Sequence, residues 1–446
     1  MKDKILFLIN EPQIDLFQLK ALLLLTNTAD IAEAIGEMKN DKKVQLFRLL
    51  PKSMASDVFS FLEPDEQQLI TENLADNEIG QIINNLFADD AADFIEEMPA
   101  DVVKRVLKTA TPEKRAAINQ LLQYPEDSAG SIMTTEYVDL LEDETVSEAF
   151  NEIRSTGVNK ETIYTCYVMK QDRLLTGTVS VKTLLFSEPN ERIGNIMDTQ
   201  FIYANTSDDQ ETIADKFRKY GLLSMPVVDN EKRLVGIITI DDIVEVIEEE
   251  NTEDFEKMHA LSPSDEPYFK TNILKLAKNR IVWLLVLMLS ATITGSIIAS
   301  FEEAIAILPV LVAFIPMLMD TGGNAGAQSS TLIIRGMAIG EIELKDTLLV
   351  LWKEIRVAVL CGLILCLVNF VRIYLFNGRD IMLAASVTIA LFGTIFMAKT
   401  IGCLLPMIAK RIKIDPAIMA SPLITTIVDA TSLIIYFSIA KMFFGI

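Results

Sequence analysis

The chain has 446 residues, half of them hydrophobic, with 62 Asp and Glu against 40 Lys and Arg, a formal net charge of −22. That length allows several domains, and so acidic a surface repels nucleic acid and attracts cations or basic partners. One histidine, His259, and four cysteines without C-x-x-C spacing (Cys166, Cys361, Cys366, Cys403) exclude most imidazole or thiolate chemistry, so the cysteines read as small core residues. The charge is uneven: residues 1–270 carry 52 acids and 26 bases, residues 271–446 only 10 and 14. An acidic front half therefore precedes an apolar back half. Ile5-Leu-Phe-Leu-Ile9 is apolar, but acids follow and no small-residue cleavage site is present, so no signal peptide is expected.

Residues 1–128 predict an acidic all-α domain. Helical spacing runs through Val44-Gln-Leu-Phe-Arg-Leu-Leu50 and Ile79–Leu86, with breaks at Pro51, Pro64, Pro99 and Pro112. Ala55–Leu62 aligns with Ala91–Met98 as a faint repeat, which suggests short helices stacked in a superhelix. Asp89 and Asp93 fall one turn apart, at a repulsive spacing usually explained by a solvated acidic face.

Residues 129–250 contain a duplication. Ser131-Ile-Met-Thr and Asn195-Ile-Met-Asp open two units, each continuing into an amphipathic helix (146–154, 211–219) and a β-rich end, Leu175-Thr-Gly177 and Leu234-Val-Gly236. This pattern resembles paired CBS domains. By that resemblance Thr239 and Asp242, within Thr239-Ile-Asp241-Asp242, match a signature that holds a nucleotide ribose, so ATP is a candidate ligand. The first unit has Ser180-Val-Lys-Thr183 there instead.

A connector helix is expected over 251–279. It follows a carboxylate-dense run in which Asp242, Glu245 and Glu249 share one side. Five membrane spans are then expected, near 281–300, 304–334, 355–376, 381–408 and 415–442, within a membrane domain covering 280–446. Arg335, Lys345 and Lys410-Arg411-Ile-Lys413 flank the spans on one side. The positive-inside rule therefore places the front half in the cytoplasm of a multi-pass cell-membrane protein, with the C-terminus outside.

The fifth span carries Asp429 near its middle, where a carboxylate costs roughly 2.5–3.5 kcal/mol and normally faces a partner or a watery path. Ser421 and Thr425 precede it by two turns and one turn on the same face, after Pro416 and Pro422. The second span has Pro316, Asp320, Gly322-Gly323-Asn324, Gly326 and Gln328, where proline and glycine can free or expose backbone carbonyls. A cation pathway accounts for both stretches. A buried acid bracing the helix bundle accounts for Asp429 alone.

In this order the pieces closely resemble the MgtE family of magnesium channels and transporters over nearly the whole chain. The resemblance implies a multi-domain fold: an all-α superhelical N-domain, an α/β CBS pair, a connector helix and a five-span helix bundle. It implies a homodimer in the lipid bilayer that conducts Mg2+ past Asp429, with Ser421 and Thr425 lining the pore. It implies regulatory Mg2+ at Asp89, Asp93, Asp242, Glu245 and Asp254; the family pattern has Asp where this chain has Glu245. A proton-coupled transporter using Asp429 as proton carrier is the alternative. An enzyme is not expected, since H-E-x-x-H and G-x-S-x-G are both missing from the sequence.

Overall fold

A computed structural model describes residues 1–10, 15–264, 268, 271–376, 380–419 and 421–445; of Ser421 only the backbone is described. The chain forms two compact units, Met1–Ile247 and Glu248–Ile446.

Among the described residues, the first unit opens with ten short helices between Lys2 and Leu121. The prolines set their starts. Pro64 and Pro112 occupy first-turn positions, and Pro51 and Pro99 precede the Lys52–Ser60 and Ala100–Thr109 helices. There the missing N–H would have had no helical partner anyway. Successive helices bury one face in a shared core, where Phe59 meets Phe47 and Phe94 edge-on with centroids 6.1 and 5.0 Å apart.

The duplicated region follows as two three-stranded sheets of matching topology. In the first, β1 (Asp139–Leu141) lies parallel to β2 (Thr165–Met169), which pairs antiparallel with β3 (Leu175–Ser180). In the second, β4 (Ala204–Asn205), β5 (Ser224–Val228) and β6 (Leu234–Thr239) repeat the arrangement. The expected amphipathic helices are Val146–Thr156 and Gln210–Tyr220. Each unit's opening segment pairs with the other unit's sheet, Thr134 with Ile237 and Asp198 with Thr178. That exchange explains the repeated glycine. A Cβ on Gly177 would lie 3.0 Å from the Asp198 carbonyl, and one on Gly236 2.7 Å from that of Thr134.

One helix, Ile240–Met258, runs on from β6. The connector expected at 251–279 therefore differs: its helical part continues the helix after β6 and stops at Met258, and a new helix starts at Ile273. Nothing between 240 and 258 is Pro or Gly, so no residue interrupts the helix.

The second unit contains five helices long and apolar enough to span a membrane among the described residues. We call Ile273–Ser300, Ile315–Ala338, Thr347–Phe376, Ile381–Arg411 and Ser421–Phe444 the first to fifth spans. The second begins later than expected, after a short helix (Glu302–Ile307) and a 3-10 turn (Pro309–Phe314). The third begins earlier, which takes Glu354 into the helix. Pro316 falls in a first turn, so it does not free a carbonyl in mid-helix as expected; Pro422 is likewise in a first turn, and Pro406, inside the fourth span, has the mid-helix position. The first span has no buried residue, and leucines such as Leu284, Leu285 and Leu289 are exposed along it, a surface suited to lipid rather than water. The multi-domain fold expected from the sequence is the fold observed.

Candidate cation sites

In the first unit, carboxylates crowd where the Ala88–Glu96 helix faces the start of the Ile240–Met258 helix. Asp89 is only 8% exposed, which overturns the solvated-face expectation at that position. Its carboxyl is pushed well above the usual range by burial first, then by Asp242, Asp90 and Glu161. Burial, with Asp242 and Asp241 next, raises Asp90 to about 6. Asp242 is also raised to about 6, by burial against the opposing pull of its hydrogen bond from Thr239. Glu161 reaches about 8 by burial and then Asp242 and Asp241. Asp93 reaches about 7 from crowding by surrounding protein and then Asp90. Its side chain still touches water, so screening tempers the effect and the direction carries the meaning. Glu245 adds its charge to Asp90, Asp93 and Asp242.

The cluster is thus a set of like charges held together without matching cations. Lys114 pairs with Glu136 at 2.7 Å and only partly offsets Asp90. Among the described residues no three acids, thiols or imidazoles converge tightly enough to ligate one ion directly. Every gathered group is a hard oxygen donor, which suits a magnesium-like ion that keeps its own waters and is held by one or two carboxylates. Asp90, Asp241 and Glu161 were missed from sequence. Asp90 and Asp241 adjoin named residues, whereas Glu161 is a lone acid in a loop with no distinguishing signal.

The Thr239 hydroxyl donates to Asp242 at 2.7 Å in the second repeat of the pair. At the corresponding place Thr183 stands 2.9 Å from Ser180, and no carboxylate is present.

In the membrane domain Asp429 is half-buried on the fifth span, with the Asp320 carboxylate within electrostatic reach. Asp320, Asn324 and Gln328 are exposed at one-turn intervals along the second span, and Asn324 donates to Asp320 at 3.2 Å. The opposite face of that span is glycine. A Cβ on Gly322 would crowd Thr394, Val428 and Ser432, and one on Gly323 would lie 3.0 Å from Thr425. The missing side chains therefore let the second span approach the fourth and fifth. Thr425 and Thr426 donate to the Pro422 carbonyl at 2.9 and 3.0 Å, leaving their oxygen lone pairs free to accept. The backbone places Ser421 two turns before Asp429, and its side chain lies outside the described residues.

Closest of all, a Cβ on Gly402 would overlap the Gly326 backbone. Gly402→Val should therefore destabilise the membrane domain by about 1–3 kcal/mol, read as a lower melting temperature in detergent; an unchanged melt would refute this packing account.

Asp254 belongs to the second compact unit, Glu248–Ile446. Burial, and then Asp415, raises its carboxyl above the usual range. One turn on, Lys257 bridges Glu253 at 2.6 Å and Asp415 at 2.9 Å, so the helix end is tied to the segment that leads into the fifth span.

Residues 315–439 match the family described as "Divalent cation transporter", residues 26–127 the "MgtE intracellular N domain" and residues 193–249 the "CBS domain". The chain is 35% identical to the "Magnesium transporter MgtE" of Thermus thermophilus, over 93% of this chain and 92% of that protein. It is 32% identical to the protein of the same name from Bacillus subtilis, over 93% and 91%. A solved structure, the soluble part of a magnesium transporter, superposes with a TM-score of 0.53 at 26% identity, covering 56% of this chain and 99% of that one. With near-complete coverage at this identity, and with the helical domain, the strand-exchanged pair and the five apolar helices in the family's order, the chain belongs to the MgtE family of divalent cation transporters, as a membrane protein with cytosolic N-terminal domains.

Proposed function

We propose that this protein conducts Mg2+ across the cell membrane past Asp429 and is closed by cytosolic Mg2+ bound at its acidic cytosolic groups. The observation that carries the reading is the half-buried Asp429 with the Asp320 carboxylate within electrostatic reach, Asp320 being followed by Asn324 and Gln328 on the same exposed face of the second span. One carboxylate per subunit with hydroxyls around it suits a largely hydrated ion. A homodimer brings two fifth spans to one pathway, and the largely uncovered first span leaves apolar surface for lipid and partner. With five spans after a cytosolic N-terminal half, this reading has the C-terminus outside. A division into an N-domain at 1–128, a CBS pair from 129, a connector whose helical part ends at Met258 and a membrane domain from about Ile273 belongs to the same reading, as does a transport role without enzymatic chemistry. ATP at Thr239 and Asp242 is a further regulator within it.

The test is uptake into dye-loaded proteoliposomes containing the purified full-length protein, with Mg2+ and then Mn2+, Co2+ and Ni2+ outside. Mg2+ should enter in protein-containing vesicles alone. Absence of any divalent uptake would overturn the proposal.

Regulation gives a pH prediction. The cluster carboxyls titrate above free carboxylates, so the packed arrangement binds more protons than a separated one. Its stability is full below about pH 4 and is lost as pH rises through 6 to 8. Mg2+ replaces those protons. Without divalent ions, proteolysis of residues 1–130 in the full-length protein should be faster at pH 8 than at pH 5.5. Several millimolar Mg2+ should slow it far more at pH 8. Equal protection at both values would remove the cluster from the mechanism.

A further inference from the structure

The charged groups inside the membrane domain include a set that the proposed pathway does not use. Lys399 of the fourth span and Glu354 of the third are 6% and 9% exposed, and Ser329 of the second is fully buried. Ser329 donates to Glu354 at 2.6 Å, Lys399 donates to Ser329 at 3.2 Å, and the ammonium and carboxylate stand 3.8 Å apart. Three spans therefore meet at one ion pair in apolar surroundings. Such a pair gives little net stability over an apolar contact, because desolvating both charges offsets their attraction. Ionisable groups at membrane depth are costly and mark function more often than packing. Their specific effect is geometric, because a buried polar contact fixes one register among several that apolar packing would tolerate.

What this one fixes is the rotation of the second span. Ser329 follows Gln328 directly, and it lies on the packed face with Gly322 and Gly326, while Asp320, Asn324 and Gln328 lie on the exposed face. The glycines supply no side chain to resist turning about the helix axis. We propose that Glu354 and Lys399 are positioning residues that, through Ser329, hold the second span at the rotation that turns Asp320, Asn324 and Gln328 to its exposed face. This rests on reading that stripe as part of the cation pathway.

The test separates orientation from transport. In full-length protein with its four cysteines replaced by alanine, Asn324→Cys and Ala325→Cys are labelled by a membrane-impermeant cationic thiol reagent. Asn324→Cys should react faster by about tenfold, and Ser329→Ala or Lys399→Met should shrink that ratio several-fold. Mg2+ flux per folded protein should fall about tenfold in both variants, with the half-saturating concentration changed less than about twofold because Asp429 is intact. If Lys399→Met alone fails to fold, Glu354→Gln/Lys399→Met removes both charges and Ser329→Ala keeps both. The charge-swapped Glu354→Lys/Lys399→Glu protein should recover labelling ratio and flux better than either single neutralisation. A doubly neutral or Ser329→Ala protein with unaltered labelling ratio and flux would show the pair to be mere packing and overturn the proposal. An altered ratio in a protein that never conducts Mg2+ would keep the positioning role and defeat the transport reading instead.

Discussion

Asp429→Asn should lower Mg2+ flux per folded protein by about a hundredfold or more. A unit charge about 4 Å from a cation is worth roughly 4 kcal/mol at an effective dielectric of 20, and a divalent ion doubles the term before its retained waters weaken it. The substitution keeps size and shape, so packing around Val428 and Leu433, both fully buried on the same helix, is left alone. Removing a buried charge that had merely braced the bundle would instead alter folding and leave residual transport intact. Dye-reported flux, normalised to the monodisperse peak on size exclusion and to an unchanged melt, distinguishes the two. Near-normal uptake by well-folded Asp429→Asn protein would eliminate the pathway assignment.

The second large effect lies in the cytosolic groups. Neutralising Asp89, Asp93, Asp242 and Asp254 together should make open probability nearly flat against internal Mg2+, while permeation that depends on Asp429 persists. Swinging a two-state gate from 1:99 to 99:1 needs about 5.5 kcal/mol. Several weak sites reach this together, each contributing about 1 kcal/mol when the ion is a few-fold above its dissociation constant. Crowding supports a response at these groups: Asp89 and Asp90 are raised by burial and by Asp242, and Asp254 by burial and by Asp415. Neutralisation removes both the repulsion and the ligands, so the resting level is free to move either way, but the response must vanish. Patch recordings in which the quadruple variant still shuts steeply as internal Mg2+ rises would place the sensor elsewhere.

Local chemistry decided what was legible in the sequence. The duplicated strands were readable because each carries a glycine at its third position, Gly177 or Gly236, that strand exchange requires. Asp429 was readable because an acid amid apolar residues is costly wherever the helix faces. The boundary before the connector was not legible because no Pro or Gly interrupts the helical run from Ile240 to Met258. Pro316 was misread because its effect depends on where the helix begins, which the break at Pro309–Phe314 sets. Burial of Asp89, the presence of Glu161 in its cluster and the Glu354–Lys399 pair were out of reach for a different reason. Each depends on residues distant in sequence, 70 or more positions apart for Asp89 and Glu161 and 45 for the ion pair, a juxtaposition that only tertiary packing creates.

The most direct test of Mg2+ conduction past Asp429 sets membrane potential against a proton gradient. Proteoliposomes of the unmodified protein, clamped with potassium and valinomycin, should take up Mg2+ in proportion to an inside-negative potential at equal pH on both sides, and an imposed pH gradient at zero potential should drive none. Uptake that ignores the potential and follows the pH gradient would contradict the account and identify Asp429 as a proton carrier.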